Sequence, residues 1–100
     1  MDVTVKTSKN ERAYFVKGVF SAGDEDRFYD VFLQIRAMTE PCLAFDLSLC
    51  PSVDPAAMGM LVVAAQEAAR RNIARVIRRA PASVREVLQS AGFEKFYVFQ

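Results

Sequence analysis

Asp54-Pro55-Ala56-Ala57-Met58-Gly59 is the stretch whose reading decides the fold. An acid directly before a proline is a strong helix start. Asp54 can cap the helix with its carboxylate, and Pro55 takes the first helical position, where a missing N–H costs nothing. Upstream, Cys42 to Leu47 reads CLAFDL, a short apolar strand with one acid, Asp46. An uninterrupted apolar run of this kind suits a central strand covered on both faces. Downstream, Met58, Leu61, Val62, Ala65 and Ala69 recur on one helical face. That helix should end near Arg71, with Asn72 taking the left-handed turn that closes it. The stretch is therefore a strand-to-helix turn in a central βα unit.

Working outward, Val3 to Thr7 alternates and is β-branched, hence a strand, and Asn10-Glu11 is a turn. Ala13 to Phe20 is a second strand that forms a hairpin with the first, and Gly18 near its end signals a bulge or a close backbone approach. Ser21 caps the next helix, with Asp24 three residues on. Phe28, Val31, Phe32 and Ile35 form its buried face, Arg27, Asp30 and Gln34 the other, and Pro41 bars continuation past Glu40. Ile73 to Arg78 reads as a strand. Ala82 to Ala91 reads as a helix with Val84, Val87, Leu88 and Ala91 inward, terminated by Gly92. Phe93 and Lys95 to Phe99 form a last strand or extended segment. The order β-β-α-β-α-β-α-β predicts an α/β fold: a mixed sheet covered by helices, with the first strand at its edge.

One hundred residues make a single domain over 1–100, with no linker or repeat. The first ten residues are polar and lack an apolar leader core, and the longest apolar run, Pro55 to Ala65, is too short to span a bilayer. These features predict a cytoplasmic, free-standing domain without membrane insertion. Histidine is absent, so no Ser-His or Cys-His nucleophile pair is available. Cys42 and Cys50 stand eight apart, which suits neither a CxxC redox pair nor a zinc knuckle. Cys42 fits a buried strand position and Cys50 a loop. Four glycines supply no phosphate-binding loop. Nothing proposes catalysis, a metal or a cofactor.

A net charge of +1 argues against nucleic-acid binding, but the charge is unevenly spread. Residues 1–54 hold six Lys/Arg against nine Asp/Glu, and residues 55–100 hold seven against three. Six arginines (Arg70, Arg71, Arg75, Arg78, Arg79, Arg85) crowd into sixteen positions. They read either as a patch for an anionic partner or, more plainly, as a solvated helix end and outward-facing strand residues.

The ordered set resembles a STAS domain of the bacterial anti-sigma factor antagonist type. The resemblance is carried by Gly18, by the strand Leu43-Ala44-Phe45-Asp46-Leu47-Ser48, and by Val53-Asp54 before the helix. It continues through Met58-Gly59-Met60-Leu61 and closes with Ser90-Ala91-Gly92-Phe93 and Phe96. In that family the turn reads Asp-Ser-Ser-Gly-Leu-Gly, and a partner that is both kinase and anti-sigma factor phosphorylates the first serine. A serine phosphatase resets the cycle. Here Asp54 keeps the acid, Gly59 the second glycine, and Met58 replaces leucine at similar volume. Pro55 stands at the phosphoacceptor, Ala56 at the second serine and Ala57 at the first glycine.

The resemblance implies a non-catalytic signalling adaptor that binds an anti-sigma factor or an ATP-binding switch kinase, with a serine phosphatase as a further partner. The binding residues it implies are Ser52, Val53, Asp54, Pro55, Ala56, Ala57, Met58 and Gly59. Neither Pro55 nor Ala56 has a hydroxyl, so the usual switch is missing. Ser52, two residues before Asp54, is a displaced substitute on one reading and an ordinary turn serine on the plainer one. Two alternatives remain open: a scaffold subunit of a stressosome-like or lipid-transporter complex, and a small-ligand or anion sensor using the arginines.

Overall fold

The computed structural model describes residues 1–100. Its elements are β1 (Asp2–Thr7), β2 (Arg12–Lys17), α1 (Glu25–Ala37), β3 (Cys42–Leu49), α2 (Pro55–Arg70), β4 (Ala74–Arg78), α3 (Ala82–Ser90) and β5 (Val98–Phe99). Short 3-10 turns cover Ala22–Asp24 and Phe93–Lys95. One sheet holds all five strands in the order β1-β2-β3-β4-β5. β1 and β2 pair antiparallel as a hairpin, and every later pair is parallel. Parallel neighbours require a crossover, and each helix supplies one, so the chain steps across the sheet one strand at a time. β1 lies at the edge, as its sequence leads one to expect.

The three helices share one face of the sheet. Phe28, Val31 and Ile35 of α1, Leu61, Ala64, Ala65 and Ala68 of α2, and Val84 and Leu88 of α3 join a single core with Tyr14, Val16, Leu43, Phe45, Leu47 and Ile77. The opposite face holds only a small cluster of Ala13, Ala44 and Val76, flanked by Phe15 and Cys42, and no helical residue joins it. The expectation that β3 is covered on both faces is thus corrected. Ala13, Ala44 and Val76 sit side by side in the β2–β3–β4 register, small enough to be shielded by their neighbours. Adjacent side chains mimic a second layer.

Asp46 belongs to that uncovered face and is only 1% exposed. One carboxylate oxygen accepts the Ser48 amide at 3.0 Å, and the other accepts from the Arg79 guanidinium at 2.5 Å and 2.8 Å. Arg79 itself adopts a left-handed φ of 55°, so the ion pair steadies a conformation that favours glycine. Burial alone would raise the Asp46 carboxyl, but the Ser48 amide and hydroxyl and the Arg79 charge together hold it below its ordinary value. A depressed folded pKa contributes stability that is complete above the unfolded value, about 3.9, and is lost as pH falls through the folded one. Asp46→Asn should therefore cost about 1–2 kcal/mol at pH 7 and progressively less as pH falls below about 3.9, as at pH 3. Urea titrations of both proteins at the two pH values check this; a difference independent of pH would contradict it.

Several boundaries and faces depart from the sequence reading. β2 stops at Lys17 rather than Phe20, because Gly18 turns the chain at φ 93°. An irregularity does occur nearby: the β2–β3 register slips by one between Phe15↔Asp46 and Lys17↔Leu49. On α2 the buried stripe is Ala57, Leu61, Ala64, Ala65 and Ala68, so Met58 and Val62 lie at its border and Ala69 is exposed. On α3, Val87 and Ala91 face outward, since Val84 and Leu88 already fill the contact. The closing segment is a 3-10 turn followed by a two-residue strand, because Phe93 and Tyr97 both turn inward to the core. Cys42 is half-buried, whereas Cys50 is the fully buried cysteine although it lies in a loop. Asn72 takes the expected left-handed turn, at φ 58°.

Candidate functional site

Two connections run side by side at the end of the sheet where α2 begins. The Gly18 N–H donates to the Leu49 carbonyl at 2.9 Å, the Phe20 N–H to the Ser52 carbonyl at 3.0 Å, and the Asp54 N–H to the Phe20 carbonyl at 3.2 Å. Phe20 and Val53 pair as an isolated parallel bridge. The segment Gly18–Phe20 therefore acts as a splint for the loop before α2. Beneath it, the buried Cys50 thiol donates to the Ser52 carbonyl at 3.4 Å. Burial pushes that thiol above its ordinary value, so it remains a neutral donor.

Asp54 is the hinge pin of the arrangement. Oδ1 accepts the Ala57 N–H at 2.8 Å, capping α2, while Oδ2 accepts the Ala22 N–H at 3.0 Å and ties the start of the other connection to the same residue. Asp54→Ala removes both bonds and should cost about 2 kcal/mol, lowering Tm by about 10 °C in a domain of this size. Asp54→Asn keeps one oxygen acceptor and should lose about half as much. Thermal unfolding distinguishes these variants; equal losses would show that only one of the two bonds matters.

The residues singled out from the sequence divide by exposure. Ser52, Pro55, Ala56 and Gly59 are exposed, and Val53, Asp54 and Met58 are half-buried. Ala57 is fully buried, so its contribution is the amide that Asp54 caps, and it offers no surface to a partner. Leu49, 63% exposed, and Val19, 53% exposed, stand on the two splinted connections and widen the apolar rim. Sequence reading passed over Val19 because it sat inside an assumed strand; the glycine before it was the available signal. Between Ser52 and Gly59 the one charged side chain is Asp54, and both its oxygens are engaged. The rim is mostly apolar, with Asp54 its one charge between Ser52 and Gly59, Glu25 of α1 beside Ala56 and Gly59, and Ser52 its one hydroxyl.

The arginines of the cluster are engaged within the chain, and Arg78, Arg79 and Arg85 meet at Gln100. Arg70 pairs with Glu67, Arg78 with Glu11 and Arg79 with Asp46. Arg71 donates to the carbonyls of Ile35, Arg36 and Met38, closing the end of α1. Arg75 donates to the Phe96 and Ile73 carbonyls and Arg85 to that of Gln100. Each guanidinium is engaged within the chain, which favours the structural reading of the cluster.

A protein-family model described as STAS domain matches residues 2–100, and the chain belongs to that family. No curated sequence matches at a significant level. Among solved structures, a putative anti-sigma factor antagonist from Thermotoga maritima superposes with a TM-score of 0.87 at 13% identity, covering 97% of this chain and 84% of that one. The phosphorylated form of the Bacillus cell fate determinant SpoIIAA gives 0.77 at 10% identity, covering 99% and 91%. A sulfate transporter family protein from Wolinella succinogenes gives 0.77 at 21% identity, covering 96% and 80%. At these identities the likeness is one of fold. The chain is thus a STAS domain whose fold is that of anti-sigma factor antagonists, and none of its helices is long and apolar enough to cross a membrane.

Proposed function

We propose that this STAS domain is a non-catalytic adaptor that docks on an anti-sigma factor or an ATP-binding switch kinase through the surface around Asp54, and that it does so without a phosphorylation switch. The observation that carries the reading is the turn itself. Asp54 holds two connections in register, and what they present is the apolar rim of Ser52, Pro55, Ala56 and Gly59 with Val19 and Leu49 beside it. A rigid, mostly apolar rim suits docking by burial of apolar area, and the carboxylate within it, Asp54, already accepts two backbone N–H groups. Pro55 removes the hydroxyl at the position where the family carries its phosphate, so docking is constitutive.

Isothermal calorimetry against the switch kinase of the source organism tests this. Wild type should bind, and Ala56→Arg, which places an unpaired charge at the centre of the rim, should weaken binding at least about tenfold with no loss of Tm. Undiminished binding by Ala56→Arg would place the contact elsewhere.

A further inference from the structure

Continuous with the rim at Ala56 and Gly59, α1 and α2 leave between them an apolar groove of about 520 Å³. Phe28, Tyr29 and Phe32 line it from α1, and Ala56, Gly59, Met60 and Val63 from α2. Tyr29 is 59% exposed and Val63 49%, so the groove is open along its length. Gly59 is exposed along it, and an added Cβ there would meet no atom within 4 Å. The charge along it is polar end to end. Glu25 lines one end, and Arg36 lies on the same side of α1 one helical repeat beyond Tyr29. Both are exposed, and neither forms an ion pair within the chain.

The groove side of α1 therefore reads Glu25, Tyr29, Phe32, Arg36, with spacings of four, three and four. That pattern is symmetric in spacing and opposite in charge at its two ends. Laid antiparallel on a second α1, it sets Glu25 against Arg36 of the second copy and Tyr29 against Phe32 of the second copy, and the reverse pairs follow by symmetry. This is the self-complementarity that a two-fold interface demands. Antiparallel packing also brings the positive end of each helix dipole beside the negative end of the other.

We infer that two copies of this chain associate through this groove, each α1 seated between the α1 and α2 of its mate. A strip three helical turns long lies at or below the low end of specific interfaces, about 1,200 Å² in total, so the dimer is weak and concentration-dependent. The groove shares Ala56 and Gly59 with the Asp54 rim, so dimerisation and docking compete at that edge, but self-association of the free chain is measured without the docking partner.

Sedimentation velocity of the full chain from about 10 μM to about 1 mM tests it, since that range brackets the weak affinities such an area supports. Wild type should shift from monomer to dimer, and Tyr29→Glu should remain monomeric at every concentration. Glu25→Arg and Arg36→Glu, each breaking both symmetry-related pairs, should weaken association about tenfold, and the double variant should return to within about threefold of wild type. The double variant opposes the helix dipole at both ends of α1, so helix destabilisation alone would make it the worst of the three. Thermal unfolding of each variant confirms that it is folded. A wild type that stays monomeric throughout, a dimer indifferent to Tyr29→Glu, or a double variant as weak as the singles would overturn the inference.

Discussion

Phe45→Ala is expected to lower the free energy of unfolding by about 3–5 kcal/mol, a large share of the roughly 5–15 kcal/mol available to a domain of this size. Phe45 is 1% exposed at the centre of β3. Its ring stacks on Tyr14 at 5.6 Å and on Phe28 at 6.0 Å, and it meets Tyr97 edge-on at 6.1 Å. These contacts join β2, α1 and the closing segment through one side chain. Truncation leaves a cavity whose walls are two strands and a helix, which cannot collapse without breaking sheet register. Denaturant titration measures the loss. Because all three helices rest on one face, no second core compensates. A loss below about 1 kcal/mol would mean that the aromatic cluster is not the centre of packing.

Pro55→Ser should have the largest functional effect. The side chain at this position is exposed, and Asp54 caps the helix through the Ala57 amide whether or not proline follows it. Loss of the preset proline φ should cost no more than about 1 kcal/mol, so the variant folds. If the partner is an active kinase, the new serine should gain one phosphate. That group adds roughly −2 charge to a mostly apolar rim, and burying it against a partner should weaken docking by on the order of a hundredfold. Unphosphorylated Pro55→Ser should bind as wild type does. Intact-mass spectrometry followed by calorimetry separates the two steps. A phosphorylated variant that binds undiminished would show that the rim is not the docking surface.

Much of this was legible in the sequence. Asp54-Pro55 announced a helix start because capping is a local interaction, decided within four residues. Gly18 marked an irregularity near the end of the second strand, Asn72 and Gly92 marked helix ends, and each takes a positive φ. The sheet order follows from one-step crossovers, and the alternation of apolar strands with amphipathic helices displays them. What escaped was tertiary. The one-sided sheet could not be told from a two-sided one, since Ala44 and Asp46 look buried for different reasons. Ala44 is shielded by small neighbours, and Asp46 is held by Ser48 and by Arg79, thirty-three residues away. The α2 stripe was read one position off because alanine, apolar at nearly every turn there, gives the periodicity little contrast. Of the candidate site, the key residue Asp54 was evident, but its second bond, to Ala22, depends on two loops meeting. The arginine cluster was dense in sequence, but the groups that engage it, such as Glu11, Asp46 and Gln100, are brought to it by the fold and could not be read from the chain.

The most direct measurement concerns the turn without a hydroxyl. The unaltered chain is incubated with the switch kinase and ATP, its intact mass is recorded, and its affinity for that kinase is measured before and after. The expected result is no gain of phosphate and an unchanged affinity that Ala56→Arg abolishes. A gain of one phosphate mapped to Ser52, with loss of binding, would contradict it and restore a switch three residues from the family's position at Pro55.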